Sequence, residues 1–188
     1  MVKRWLWVVI ALQVLWIAGM AASKEAHLAR GPAVLLETRP VDPRDLLRGD
    51  YVILNYAISS IERSNIRGAV PADTHGKPVY VVLKQGERFH ALAYASFEKP
   101  ALQAGEVMLK GRAGQARWQR GPENQPEDQR PIGVDYGLER FYVAEGTGNP
   151  RGEITVQAVV DGSGNALIRN VLIDGVPYAQ AMAKQRRN

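Results

Sequence analysis

Six side chains between Arg39 and Asp50 have types that do chemistry: Arg39, Asp42, Arg44, Asp45, Arg48 and Asp50. Three carboxylates so close suggest a hard-cation site, since Mg²⁺ and Ca²⁺ take carboxylate oxygens. Asp42, however, is placed as an N-cap, with Pro43 at the first helical position and Asp45 at the third, a capping pattern that predicts one helical turn over 42–49 ended by Gly49. With Arg44 and Arg48 there to neutralise charge, no metal is expected. The three arginines could hold an anion, but pairing with the adjacent aspartates is favoured. Glu139 is read on a strand over 138–143, sharing a face with Phe141 and Val143. A carboxylate on an apolar face must be paired, be protonated or line a site, and Arg48 or Arg44 is the expected partner. Glu145, beside Gly146, caps a loop or points into a cleft. A hydrolase would need Glu139 and Glu145 or Asp50 about 5–9.5 Å apart. A small-ligand or sugar module would need Tyr51, Tyr136 and Tyr142 to converge with nearby arginines.

The other candidates carry less. His27, His75 and His90 have no ligand spacing, and Ser59, Ser60 and Ser64 have no assigned base. With 0 cysteines the 188-residue chain has no thiolate, disulfide or cysteine nucleophile. Asp161-Gly162-Ser163-Gly164-Asn165 lacks the distal Glu of a calcium loop and reads as a β-turn. No catalytic, metal-binding or cofactor-binding residue is assigned.

The elements that must position these groups read as strands joined by turns. Strands are expected over 33–38, 51–58, 79–84, 88–97, 106–110, 138–143, 154–160 and 165–173. In the strand over 51–58, Val52, Leu54, Tyr56 and Ile58 share one face, and Tyr51, Ile53 and Asn55 the other, which predicts a central strand covered on both sides. A hairpin is expected about Gln85-Gly86, with Phe89, Ala91, Ala93, Ala95 and Phe97 on one face. Stretches 59–78 and 113–131 read as long loops. No long 3.6-residue periodicity follows residue 32, so the expected fold is mainly β: a single antiparallel β-sandwich or barrel-like domain over 33–180, with a basic tail over 181–188.

The first residues bear on location. Residues 5–22 form an apolar run broken once, by Gln13; as a helix it spans roughly 27 Å, near the hydrocarbon thickness of a bilayer. Lys3 and Arg4 precede it and favour the cytoplasmic side. Residues 1–22 are therefore read as a membrane anchor, the alternative being a signal peptide cut near Gly19-Met20-Ala21, and 23–32 as a polar tether. The run exceeds the usual apolar region of a signal peptide, which favours the anchor. Residues 23–188 are then expected outside the cytoplasm. They keep 24 − 2 = 22 basic against 19 acidic residues, a balance that does not suggest a nucleic-acid partner.

Gly49-Asp50-Tyr51-Val52-Ile53-Leu54-Asn55-Tyr56 fits G-D-Y-x-x-L-x-Y at every fixed position. With the lead-in over 39–48, the segment Tyr136-Gly137-Leu138-Glu139-Arg140-Phe141-Tyr142 continuing to Gly148, and a looser match over 161–178, the chain resembles the bacterial GDYXXLXY proteins. That resemblance implies a membrane-anchored domain with no assigned activity, encoded beside or fused to multi-pass membrane proteins. It supplies no catalytic residue. It singles out Arg44, Arg48, Gly49, Asp50, Tyr51, Leu54, Tyr56, Tyr136, Gly137, Glu139, Glu145 and Gly146 as structural or cleft positions. The expected setting is a single-pass protein of the bacterial inner membrane, held in lipid by residues 5–22, whose partner is a multi-pass membrane protein. One departure stands out: the family's longer acidic, helix-prone stretch after Gly148 is replaced by Asn149-Pro150-Arg151-Gly152. Leu47 to Val52 is also locally similar to the strand entry of type I signal peptidases, but no serine lies between Lys24 and Ser59 to act as nucleophile.

Overall fold

The computed structural model describes residues 2–39, 51–114, 130–143 and 152–185. The chain divides into two compact units, Met1–Gly31 and Pro32–Asn188. The first is one continuous helix, α1 (Val2–Arg30), which runs through both the apolar stretch and the polar residues read as a tether. Its 24-residue stretch Arg4–His27 has a mean hydropathy of 2.0 at its most apolar, so one helix among the described residues is long and apolar enough to cross a membrane.

The second unit is built from two five-stranded antiparallel sheets in a sandwich-like arrangement, and they do not close into a barrel. Its strands are β1 (Ala33–Arg39), β2 (Tyr51–Ile53), β3 (Asn55–Tyr56), β4 (Ser60–Ile61), β5 (Pro78–Gln85), β6 (His90–Ser96), β7 (Glu106–Gly114), β8 (Ile132–Asp135), β9 (Arg140–Tyr142), β10 (Ile154–Val160), β11 (Ala166–Ile173) and β12 (Val176–Pro177). A short helix, α2 (Tyr178–Gln185), follows. One sheet has the order β12-β11-β10-β1-β3, the other β4-β8-β7-β5-β6, and β2 pairs with β9 as a separate ribbon.

Alternation drives this packing. In β1, Val34 and Leu36 point inward while their neighbours do not, the period of a half-buried strand. They join Val156, Ala158 and Val160 of β10 in one core with Val79, Val81 and Leu83 of β5 and Leu109 of β7. The β10–β11 turn ties the sheets together, since Lys110 N of β7 donates to Gly164 O at 2.8 Å. Within that turn the Asp161 carboxylate accepts from Ser163 N at 2.8 Å and Asn165 N at 2.9 Å, so it stabilises its own loop.

Four expectations need correction. The strand over 51–58 is not one central strand. It breaks at Leu54: β2 pairs only with β9, β3 pairs with the end of β1, and residues 57–59 form a 3-10 turn. The Leu54 amide donates to Glu139 O at 2.8 Å, one step past the Ile53–Arg140 pair, so it ends the β2–β9 ribbon in register before the chain passes to β1. In β6 the face expected for Phe89, Ala91, Ala93, Ala95 and Phe97 is interrupted. The register shifts where Val82 meets Tyr94 and Leu83 meets Leu92, which leaves Ala93 as the extra, bulged residue. The stretch 59–78 is no plain loop, because it carries β4 and a 3-10 turn at Arg63–Asn65. Finally, the basic tail read over 181–188 is helical as far as it is described: residues 178–185 form α2, whose Tyr178 and Met182 enter the core.

Candidate functional site

The family-like segments meet around two buried tyrosines. β3 ends at Tyr56, whose ring is 1% exposed. Its hydroxyl donates to Leu138 O at 2.7 Å, 82 residues away. Tyr136, just after β8, is also buried, and its hydroxyl donates to Ile58 O at 2.7 Å. Each segment therefore gives a phenol to the other's backbone, a reciprocal clasp. The rings stack edge to face, 6.5 Å between centroids and 85° between planes, a geometry aromatic pairs favour. Ser59 adds a local tie by accepting from Tyr56 N at 3.3 Å.

Glu139 organises the other half of the clasp. It lies in the bend before β9, not within a strand as expected, and is half-buried. Its Oε1 accepts from Tyr136 N, while its carbonyl accepts from Leu54 N. Gly137 stands between the two residues at φ 78°, a conformation glycine adopts without a Cβ penalty. That turn folds the Glu139 carboxylate back onto the Tyr136 amide. Burial, then the Glu139 charge, pushes both Tyr56 and Tyr136 hydroxyls well above the ordinary tyrosine range. Both phenols are therefore held as donors, and neither is set up to act as a base or nucleophile. Glu139→Ala should destabilise the domain by about 1.5–3 kcal/mol, the worth of a hydrogen bond to a charged group, whereas Glu139→Gln keeps an acceptor and should lose less. Urea denaturation of the two variants beside the wild type measures the difference.

The remaining sequence candidates fall as follows. Tyr51 stands opposite Tyr142 in the β2–β9 ribbon. Tyr142 is 70% exposed while Tyr136 is in the core, so these two tyrosines do not converge on one cleft. Leu54 is buried at the strand break. Arg44, Arg48, Gly49, Asp50, Glu145 and Gly146 lie outside the described residues, as do Asp42 and Asp45 with the helical turn read there. The pairing of Glu139 with Arg44 or Arg48 and its carboxylate partnership with Glu145 or Asp50 involve those same residues. His27 is on α1, His75 in a turn where its amide donates to Asp73 Oδ1 at 3.0 Å, and His90 at the start of β6. His90 Nδ1 accepts from Leu35 N at 3.1 Å, a contact that residue types and spacing do not announce.

The β9 side of the site is closed by α2, where Tyr178 meets Phe141 edge to face at 5.3 Å between ring centroids. Chemically, the described part of the site is a set of protein-to-protein hydrogen bonds that fasten residues 54–58 to residues 136–139.

One family model matches the chain, that of the GDYXXLXY protein, over residues 13–171. No curated protein matches it, and no solved structure does.

Proposed function

The chain belongs to the GDYXXLXY family, and from that premise we propose that it is an accessory protein of the bacterial inner membrane, anchored by α1, whose β domain sits outside the cytoplasm and supports a multi-pass membrane protein. The observation that carries this reading is the surface of α1. Trp5, Trp7, Leu12, Val14, Leu15, Trp16 and Ile17 are all at least 60% exposed, and together they lie on every side of the helix. A helix apolar all round belongs in lipid or in a core, and this one is 0% buried over its most apolar window. Lys3 and Arg4 at its start favour an inside N-terminus. Gln13 supports a protein partner. It places an amide inside the apolar span, where no water satisfies it and another membrane helix can.

The clasp fits the same reading. A donor–acceptor lock of this kind within the chain serves rigidity, and a rigid domain is what an accessory surface needs. Two measurements test the proposal. A phosphatase reporter fused after Asn188 should be active and a fluorescent reporter dark, and the opposite pattern overturns the topology. A photo-crosslinker at Gln13 in intact membranes should join full-length chain to one integral membrane protein. A chain trimmed of its N-terminal segment, or one that remains uncrosslinked and purifies as a lone monomer from mild detergent, overturns the accessory role.

A further inference from the structure

We propose that His90 is a pH-sensitive latch across the seam between β1 and β6, and that protonation of its imidazole lets this seam part. The seam exists because the two sheets do not close. β6 is the terminal strand of its sheet, and the N-terminal part of β1 has a partner only on its β10 side. Val160 N donates to Pro32 O at 3.1 Å. This sets even-numbered residues of β1 toward β10 and turns the Leu35 amide to the open edge, as antiparallel pairing requires. An edge amide normally meets water or another strand. Here it meets the side chain of His90 at 3.1 Å.

The contact works in one charge state only. A ring nitrogen that accepts from an amide carries no proton, and a protonated imidazole has two donors and no acceptor. Protonation would set Nδ1–H against Leu35 N–H at the same position. Burial supports the neutral form, holding His90 below the ordinary histidine range.

Among the described residues, no charge acts on the imidazole to reverse this. On the hairpin of His90, Lys84 pairs with Glu106 at 3.3 Å and Arg88 pairs with Glu153, ahead of β10, at 2.8 Å. Among the described residues of this hairpin and of β1, Glu87, Glu37 and Arg39 are the other charged groups. The residues directly opposite are neutral: Gln85 faces His90 across the hairpin and Gln157 faces Leu35. The largest influence on the imidazole is burial.

The far half of the β6 edge is covered independently of any histidine. Arg67 N donates to Ala95 O at 2.8 Å, and the Arg67 guanidinium lies 3.8 Å from the Tyr94 ring centroid. Opening is therefore confined to the His90 end, where the second tie, Arg88 to Glu153, is an exposed ion pair of the weak kind. The sign follows from linkage. Free histidine takes its proton near about 6.5, and the closed seam takes it lower. Closure is complete above that range and weakens as pH falls through it toward the depressed value.

Hydrogen exchange read by mass spectrometry on the full chain in detergent micelles tests the latch. Wild type is compared with His90→Gln, whose side-chain oxygen accepts from Leu35 without titrating. Taking the ratio of the two at each pH cancels the intrinsic pH dependence of exchange. For the segment 33–39 that ratio should rise about tenfold as pH drops below the histidine range, the effect of losing one half-buried hydrogen bond. The segment 166–173 should stay level. A ratio for 33–39 flat within about twofold overturns the proposal. Should His90→Gln fail to fold, ¹⁵N NMR of the wild-type imidazole decides. The latch requires the Nε2–H tautomer and titration below about 6.5, and an Nδ1–H tautomer or a higher midpoint overturns it.

Discussion

Removing both phenolic hydroxyls of the clasp, Tyr56→Phe with Tyr136→Phe, should cost the domain about 2–6 kcal/mol, since each change leaves a buried carbonyl without its donor at about 1–3 kcal/mol. The rings themselves remain, so the edge-to-face contact at 6.5 Å and the volume of the core are kept. The loss then reports the two bonds to Leu138 O and Ile58 O. Because the two tyrosines touch, the single changes should not simply add, and a double-mutant cycle by urea denaturation should return a coupling of about 0.5–3 kcal/mol. The same pair makes the domain sensitive to base. Both hydroxyls have folded-state pKa values raised by burial and by Glu139. The unfolded chain releases those protons near about pH 10. The folded state keeps them, so stability is full below that point and falls as pH climbs beyond it. In the double Phe variant this alkaline loss should shrink, which a series of melts on either side of that pH would read directly.

Gly111→Ala should cost about 3 kcal/mol, at the upper end of ordinary overpacking. Gly111 lies in β7 opposite Val79, where β8 and the clasp crowd against it. A Cβ there would run into Val134 Cγ1, stand 2.9 Å from Asp135 O and 3.2 Å from Tyr136 Cδ1. The first neighbour is a stiff, β-branched side chain and the second is backbone, so neither gives way easily. The third is the clasp ring itself. Displacement of that ring lengthens its bond to Ile58 O, so Gly111→Ala and Tyr136→Phe should be less than additive. Full additivity in a chemical-denaturation cycle would show that the glycine serves β7–β8 packing alone.

Much of the fold was readable because alternation and turn chemistry are local. β1, β10 and β11 follow apolar patterns that a short window contains, and Asp161-Gly162-Ser163-Gly164 marks the turn that the Asp161 carboxylate indeed holds. The break at Leu54 was not readable. Residues 51–58 present an unbroken strand pattern, and what divides it is a change of partner at Leu54, from β9 on one side to β1 on the other, which no local pattern records. The Ala93 bulge is hidden for a similar reason, since small residues on both faces of β6 let either register satisfy the pattern. α2 is too short for a helical period to declare itself, and it is held by Tyr178 and Met182 in the core. At the site, Tyr56, Tyr136 and Glu139 could be picked out as positions of interest. Their use could not, because a phenol donating to a backbone carbonyl 78 or 82 residues away leaves no trace in spacing.

The strand pairing also sets a timetable for the newly made chain. Tyr51 pairs with Tyr142, a separation of 142 − 51 = 91 residues, and Ala33 pairs with Val159, a separation of 159 − 33 = 126. Until synthesis reaches the last third of the sequence, β2 and the first five residues of β1 have no ladder and the Tyr56 hydroxyl no acceptor; the short pairing of β3 with Thr38 and Arg39 is all that is within reach. Closing such wide intervals is slow, because chain entropy is lost before contacts compensate. The earliest-emerging strands thus stay sticky for longest, and a holding chaperone should find its strongest attachment there, within the nascent segment 33–61.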